Sequence, residues 1–207
     1  MIWDLFDPSP LGRYRRMARP VDGWLSRAEE AILFRLARSV PSDQAIVELG
    51  SWLGRSTVLL GGASRTGNGA AIFAVDFFRA ADEHRAFLES RVGVVARDYL
   101  DAFQENMRRA GVADQITPIR SDTAAAGERW AGPPVGLLFL DGDHTYPAVC
   151  RDWVSWRGHL APRARIAFHD YANPSYDVTR FVDEQVAAGR LRALEQHDSI
   201  LVAEVPT

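Results

Sequence analysis

The chain has 207 residues, enough for one domain with a full core, and a net charge of −3, which argues against nucleic acid as an obligatory partner. All 24 basic residues are arginine, so no lysine is available as a base or Schiff-base nucleophile, and the single cysteine, Cys150, excludes an internal disulfide. No apolar run approaches the ~20 residues of a membrane span, and the acid- and proline-containing start is no signal peptide, so a cytoplasmic protein without a membrane partner is expected.

Residues 1–22 are expected to be irregular, with Pro8, Pro10 and Pro20 interrupting any helix. Ser26-Arg27-Ala28-Glu29 reads as a capping box, followed by Ile32, Leu33, Leu36, Ala37 and Val40 on one helical face until Pro41 stops it. Residues 1–44 thus form an N-terminal cap on a single domain spanning 1–207. In Ala45–Thr57, Ile46, Val47 and Leu49 are the apolar run of a buried parallel strand. Gly50 and Gly54 bracket a tight turn containing Ser51, and Ser56-Thr57 opens a helix. Glycines there admit a ligand's close approach, and a helix N-terminus offers unpaired N–H groups. A dinucleotide fingerprint would read G-x-G-x-x-G; here Glu48 precedes the first glycine, which suits a ligand carrying positive charge.

Further strands are read at Ala70–Asp76, Gln115–Arg120, Val135–Asp141 and Arg165–His169, with a closing pair at Leu191–Glu195 and Ile200–Val205. Tyr99, Phe103, Met107 and Ala110 mark one helix between them, Val149, Trp153 and Trp156 another, and Phe181, Val182 and Val186 a third. Alternation of apolar strands with helices predicts an α/β fold, a doubly wound Rossmann-like parallel sheet. The closing pair is too close for a parallel crossover, so one antiparallel strand is expected near the C-terminus. The charged stretch 77–98 reads either as a solvated excursion or as a substrate lid.

In such a sheet ligands bind at the carboxyl ends of the strands, where this chain places Glu48, Asp76, Asp122, Asp141 and His169-Asp170. A carboxylate at Asp76 can accept both hydroxyls of a ribose, and Asp122 can cap a helix. Asp141, Asp143 and His144, directly after a hydrophobic strand, are more ionisable groups than a turn requires.

The Glu48-x-Gly50-x-x-x-Gly54 pattern resembles motif I of class I S-adenosylmethionine (SAM) methyltransferases. The run Leu138–Tyr146 (LFLDGDHTY), with Arg151-Asp152-Trp153 and Phe168-His169-Asp170-Tyr171, is similar to a small methyltransferase family of secondary-metabolite and sugar O-methylation. Gly23-Trp24-Leu25 matches that family as well. The resemblance implies SAM as cofactor, held by Glu48, Gly50, Ser51, Gly54, Ser56, Asp76, Asp122 and Asp141, with Asp122 accepting from the adenine amino group. It implies a small-molecule hydroxyl as acceptor, and Trp24, Trp52, Phe77, Tyr146 and Tyr171 are candidates for an apolar wall. Catechol-type relatives place a metal after strands four and five, which here puts Asp141, His169 and Asp170 forward as ligands for Mg²⁺ or Mn²⁺; the alternative is that Asp141 contacts the cofactor and His169 forms pocket wall. His144 occupies the place of the catechol-type lysine base, with Asp143 as rival base. Homodimerisation stays open, as do an NAD(P) oxidoreductase and a non-catalytic SAM binder.

Overall fold

The computed structural model describes residues 7–79 and 98–206. Strands β1 (Ala45–Leu49), β2 (Ala71–Asp76), β3 (Ile116–Arg120), β4 (Val135–Leu140), β5 (Leu160–Phe168), β6 (Arg192–His197) and β7 (Ile200–Glu204) form one sheet in the order β3-β2-β1-β4-β5-β7-β6. β1 to β5 are parallel neighbours, and β7 runs antiparallel between β5 and β6. The expected inserted antiparallel strand is therefore present.

Helices α1 (Pro10–Ala18), α2 (Arg27–Ser39), α3 (Arg55–Thr66) and α4 (Leu100–Arg109) contribute to one core. α5 (Thr123–Glu128), α6 (Tyr146–Trp156) and α7 (Val178–Ala187) contribute to the other. Alternation within β1 shows how one strand feeds both: Ile46 belongs to the first cluster, and Ala45, Val47 and Leu49 to the second. Glu48 thus projects to the α3 side.

The structure corrects the reading of residues 1–22, for Pro10 does not block a helix there. It occupies the first turn of α1, whose cap is the Ser9 side chain accepting from the Gly12 N–H, and a first-turn proline sacrifices no intrahelical bond. The capping box on α2 is present as expected. β5 starts at Leu160, five residues before the expected Arg165, because its register against β4 shifts between Val135 and Leu137. Pro162 and the arginines around that irregularity hide the strand from a periodicity argument. The 77–98 excursion lies largely outside the described residues. No described helix is long and apolar enough to cross a membrane.

Candidate active site

The strand ends are stitched together by ladder bonds that continue one residue past each strand. Gly50 N donates to Val75 O (2.9 Å), Asp141 N to Leu49 O (2.8 Å) and His169 N to Leu140 O (3.0 Å). The residues after β1, β4 and β5 therefore start from fixed backbone positions. Gly50 has φ +85°, and a Cβ there would lie 2.2 Å from the Asp141 carbonyl oxygen, so glycine is required for the two strand ends to meet. Gly54 (φ +92°) caps α3, and its missing Cβ leaves room for Met107 and Phe103 of α4. No side chain caps α3, so its first-turn N–H groups stay available beside Arg55 and Ser56. Glu30, buried on α2, receives Arg15 and Arg55 at 3.0 Å each and so ties the start of α3 to the N-terminal helices.

These strand ends open into a cleft of about 1150 Å³. Gly50, Ser51, Ser56, Asp76, Asp122, Asp141, Asp143, His144, His169 and Asp170 all line it, so the structure brings together most of the residues singled out from the sequence. Glu48 and Gly54 do not. Glu48 is fully buried beneath the loop, where Thr57 Oγ1 donates to its Oε2 at 2.5 Å. Burial pushes its carboxyl up to about 7 against the pull of the Ser56 and Thr57 hydroxyls. It supports the loop from below instead of facing a ligand's charge.

Asp76 is more committed than its strand-end position suggests. Oδ2 accepts from the Ser51 and Trp52 N–H groups at 2.9 Å each, and Oδ1 accepts from the Phe78 N–H and Tyr99 Oη at 2.7 Å each. Four protein donors fill both oxygens. They also hold Trp52 in the left-handed region at φ 47°. Asp122 is the N-cap of α5, accepting from the Ala125 N–H at 2.9 Å.

Beyond β4 and β5 lies an ionisable cluster. His169 Nδ1 meets Asp141 Oδ1 at 2.7 Å and Asp170 Oδ2 at 3.3 Å, while its Nε2 stands 3.8 Å from Glu29 Oε2. Burial alone would lower the imidazole, but the Asp141 hydrogen bond and the nearby Asp170 and Glu29 carboxylates push it up to about 12. The surrounding carboxylates thus favour the charged form of the ring. His144 Nε2 lies 3.3 Å from Asp170 Oδ2, and its ring packs on Tyr176 with centroids 4.5 Å apart. Asp143 is exposed and accepts from the Thr145 N–H at 2.9 Å.

This changes the expected ligand set. His169 turns Nδ1 to Asp141 and Nε2 toward Glu29, and it is not in the donor grouping that the geometry brings together. One donor atom each from Asp141, His144 and Asp170 instead lie within 4.8 Å of one another, so among the described residues the grouping that could hold an ion includes His144.

Glu29 escaped the sequence reading because the capping box already gave it a local role. Its Oε2 accepts from the Ser26 N–H, its Oε1 from Ser199 N and Oγ, and the same carboxylate faces His169. Burial opposes its ionisation, yet these bonds hold the carboxyl down at about 2. Asp152 lay in a quoted motif without a role; it lines the cleft, is buried, and accepts from Thr123 Oγ1 at 2.6 Å. Trp24, Trp52 and Phe77 line the cleft as expected of a wall, whereas Tyr146 and Tyr171 turn to Glu184 and Asp183, and Tyr99 and Tyr176 take their place.

Strand order, glycine loop and strand-end carboxylates together define a class I SAM-dependent methyltransferase. The methyltransferase-domain family Methyltransf_24 matches residues 47–171, more than half of the chain, and the chain belongs to it. Among solved structures it is similar to the O-methyltransferase NovP, with TM-score 0.68 and 15% identity over 87% of this chain and 80% of that one. An O-methyltransferase from Bacillus cereus in complex with SAH gives TM-score 0.65 and 18% identity over 98% and 94%. TomG from Streptomyces achromogenes, involved in tomaymycin synthesis and solved with SAM, gives 0.63 and 16% over 97% and 91%.

Proposed function

We propose that the protein transfers a methyl group from SAM to a hydroxyl of a small molecule, with His144 as general base. The supporting observation is the juxtaposition, in one cleft, of the Gly50 loop and the His144–Asp170 pair. The cleft fits the cofactor: the uncapped α3 N-terminus suits a carboxylate, and Asp141 suits an ammonium group. Gly50, Ser51 and Ser56 then hold the amino-acid end, Asp76 the ribose and Asp122 the adenine. Because Asp76 is filled by protein donors, the ribose enters by exchange, and Tyr99 Oη is the side-chain donor able to yield.

SAM when bound supplies an electrophilic methyl group on a sulfonium that leaves as a neutral thioether. The residues must therefore align the acceptor oxygen and take its proton; no acid is needed for the leaving group. Asp170 orients the His144 Nε2–H, leaving Nδ1 to accept the acceptor's proton as the O–C bond forms and the C–S bond breaks. Calorimetric titration with SAH against NADH tests the cofactor assignment: SAH binding is expected, and NADH binding in its place would make the protein an oxidoreductase.

A second reading rests on the donor grouping of Asp141, His144 and Asp170. A divalent ion held there would lower the pKa of a bound hydroxyl, and the nitrogen ligand favours Mn²⁺ over Mg²⁺. His144 then serves as ligand, and Asp143 becomes the base. The readings exclude each other at His144.

A further inference from the structure

From the lining of the cleft we infer that the methyl acceptor is a hydroxyaryl compound without an anionic group, bound against the Trp24 face of the cleft; the inference rests on the methyltransferase reading. Seven large hydrophobic side chains are exposed among the described residues, and the three aromatic ones, Trp24 (67%), Phe77 (58%) and Tyr176 (43%), all line this cleft. The aliphatic ones do not. Exposed aromatic surface gathered in one concavity marks a place where a ligand supplies the missing apolar contact.

The three divide by position. Phe77 follows Asp76 at the end of β2, on the side assigned to the cofactor. Tyr176 packs on His144 and so borders the place where the acceptor's proton is taken. Trp24 lies 6.4 Å, centroid to centroid, from Trp52, which lies 5.0 Å from Tyr99, whose ring meets buried Phe78 at 6.0 Å. That ladder anchors the exposed indole in the core, making it a stiff face that loses little freedom when a flat ring stacks on it. A flat aryl ring meets such a planar face over its whole area, which the puckered ring of a saturated sugar does not.

Charge narrows the class further. Eight aspartates line the cleft among the described residues, against three arginines and the His169 ring; Arg55 is already bonded to Glu30, and His169 to Asp141. A carboxylate or phosphate on the acceptor meets an excess of like charge, whereas a neutral or cationic substituent meets attraction from both the carboxylates and the ring faces.

The test uses the whole chain saturated with SAH and three probes of similar size: tyramine, hydroxyphenylpropanoate and methyl glucoside. Binding is read by quenching of tryptophan fluorescence and by calorimetry. Tyramine is expected to bind about tenfold or more tightly than either of the others, and Trp24→Ala and Trp24→Leu to lose that preference. Equal or tighter binding of the glucoside overturns the aryl assignment, and equal or tighter binding of the propanoate overturns the charge assignment. An unchanged preference in both Trp24 variants overturns the placement. SAH titration alone, made first on the wild type, separates failure of the methyltransferase reading from failure of this one.

Discussion

His169 and Asp141 face each other across 2.7 Å, Nδ1 to Oδ1, and this contact decides what both residues can do. Sequence position alone sets them side by side as ligands to one ion. In the fold they are partners of each other, with Glu29 on the far side of the imidazole. Burial pushes the Asp141 carboxyl up, and the His169 ring beside it works against that push by neutralising part of a concentrated carboxylate charge.

Removing that ring strands buried acids. His169→Gln is expected to destabilise the protein by about 3–5 kcal/mol in urea unfolding, the cost of breaking a buried pair from one side. Glu29→Gln, which leaves the ring two carboxylates, should cost less. Equal stability of His169→Gln and wild type would show that the contact does not carry charge.

Glu48 gives the stability a slope with pH. Its carboxyl is pushed from 4.5 up to about 7 by burial, so the fold favours the protonated form. That preference is fully present below the unfolded value and is lost as pH rises through the folded one. Glu48→Gln mimics the neutral acid and removes the slope. Between about pH 5 and about pH 8 the variant's Tm should gain on the wild type, by about 2–4 °C for each kcal/mol recovered. Parallel Tm curves would place the ionised carboxylate at 48.

The architecture was legible because every central strand is an apolar run bounded by polar turn residues, and because the last two strands stand too close for a parallel crossover. α1 was lost to a rule about proline that holds inside a helix and fails at its first turn. Strand-end residues were legible as a set, since the topology alone puts them on one edge. Their partners were not: Asp76 and Tyr99, or His169 and Glu29, are far apart in the chain, and no local pattern says that one will satisfy the other. Glu48 was misplaced for a similar reason, because its direction depends on Thr57 arriving beneath the loop.

Asp76 and Tyr99 can be separated experimentally. Asp76→Ala orphans four donors at once, so it should lower both thermal stability and SAH affinity, the latter by about 1.5–3 kcal/mol. Tyr99→Phe removes only the donor that the ribose must displace. It should lower Tm slightly while strengthening SAH binding by about 0.5–1.5 kcal/mol. Weaker SAH binding in Tyr99→Phe would show that the hydroxyl stays in place and helps to hold the cofactor.

The two readings of His144 part company under chelation. As a base oriented by Asp170, it acts without an ion, so turnover should survive EDTA, and His144→Ala should lower kcat by about 10²–10⁴ with SAH affinity nearly unchanged. Asp143→Asn should then cost little, because that carboxylate is already spent on the Thr145 N–H. As a ligand, His144 works only with the ion: EDTA abolishes turnover, Mn²⁺ restores it, and Asp143→Asn joins His144→Ala in losing activity. Asp170→Asn is impaired either way, but the two readings predict different rescue. Added Mn²⁺ recovers activity only if the ion is the element that Asp170 holds, and a variant that stays impaired at saturating Mn²⁺, with an EDTA-insensitive wild type, leaves His144 as the base.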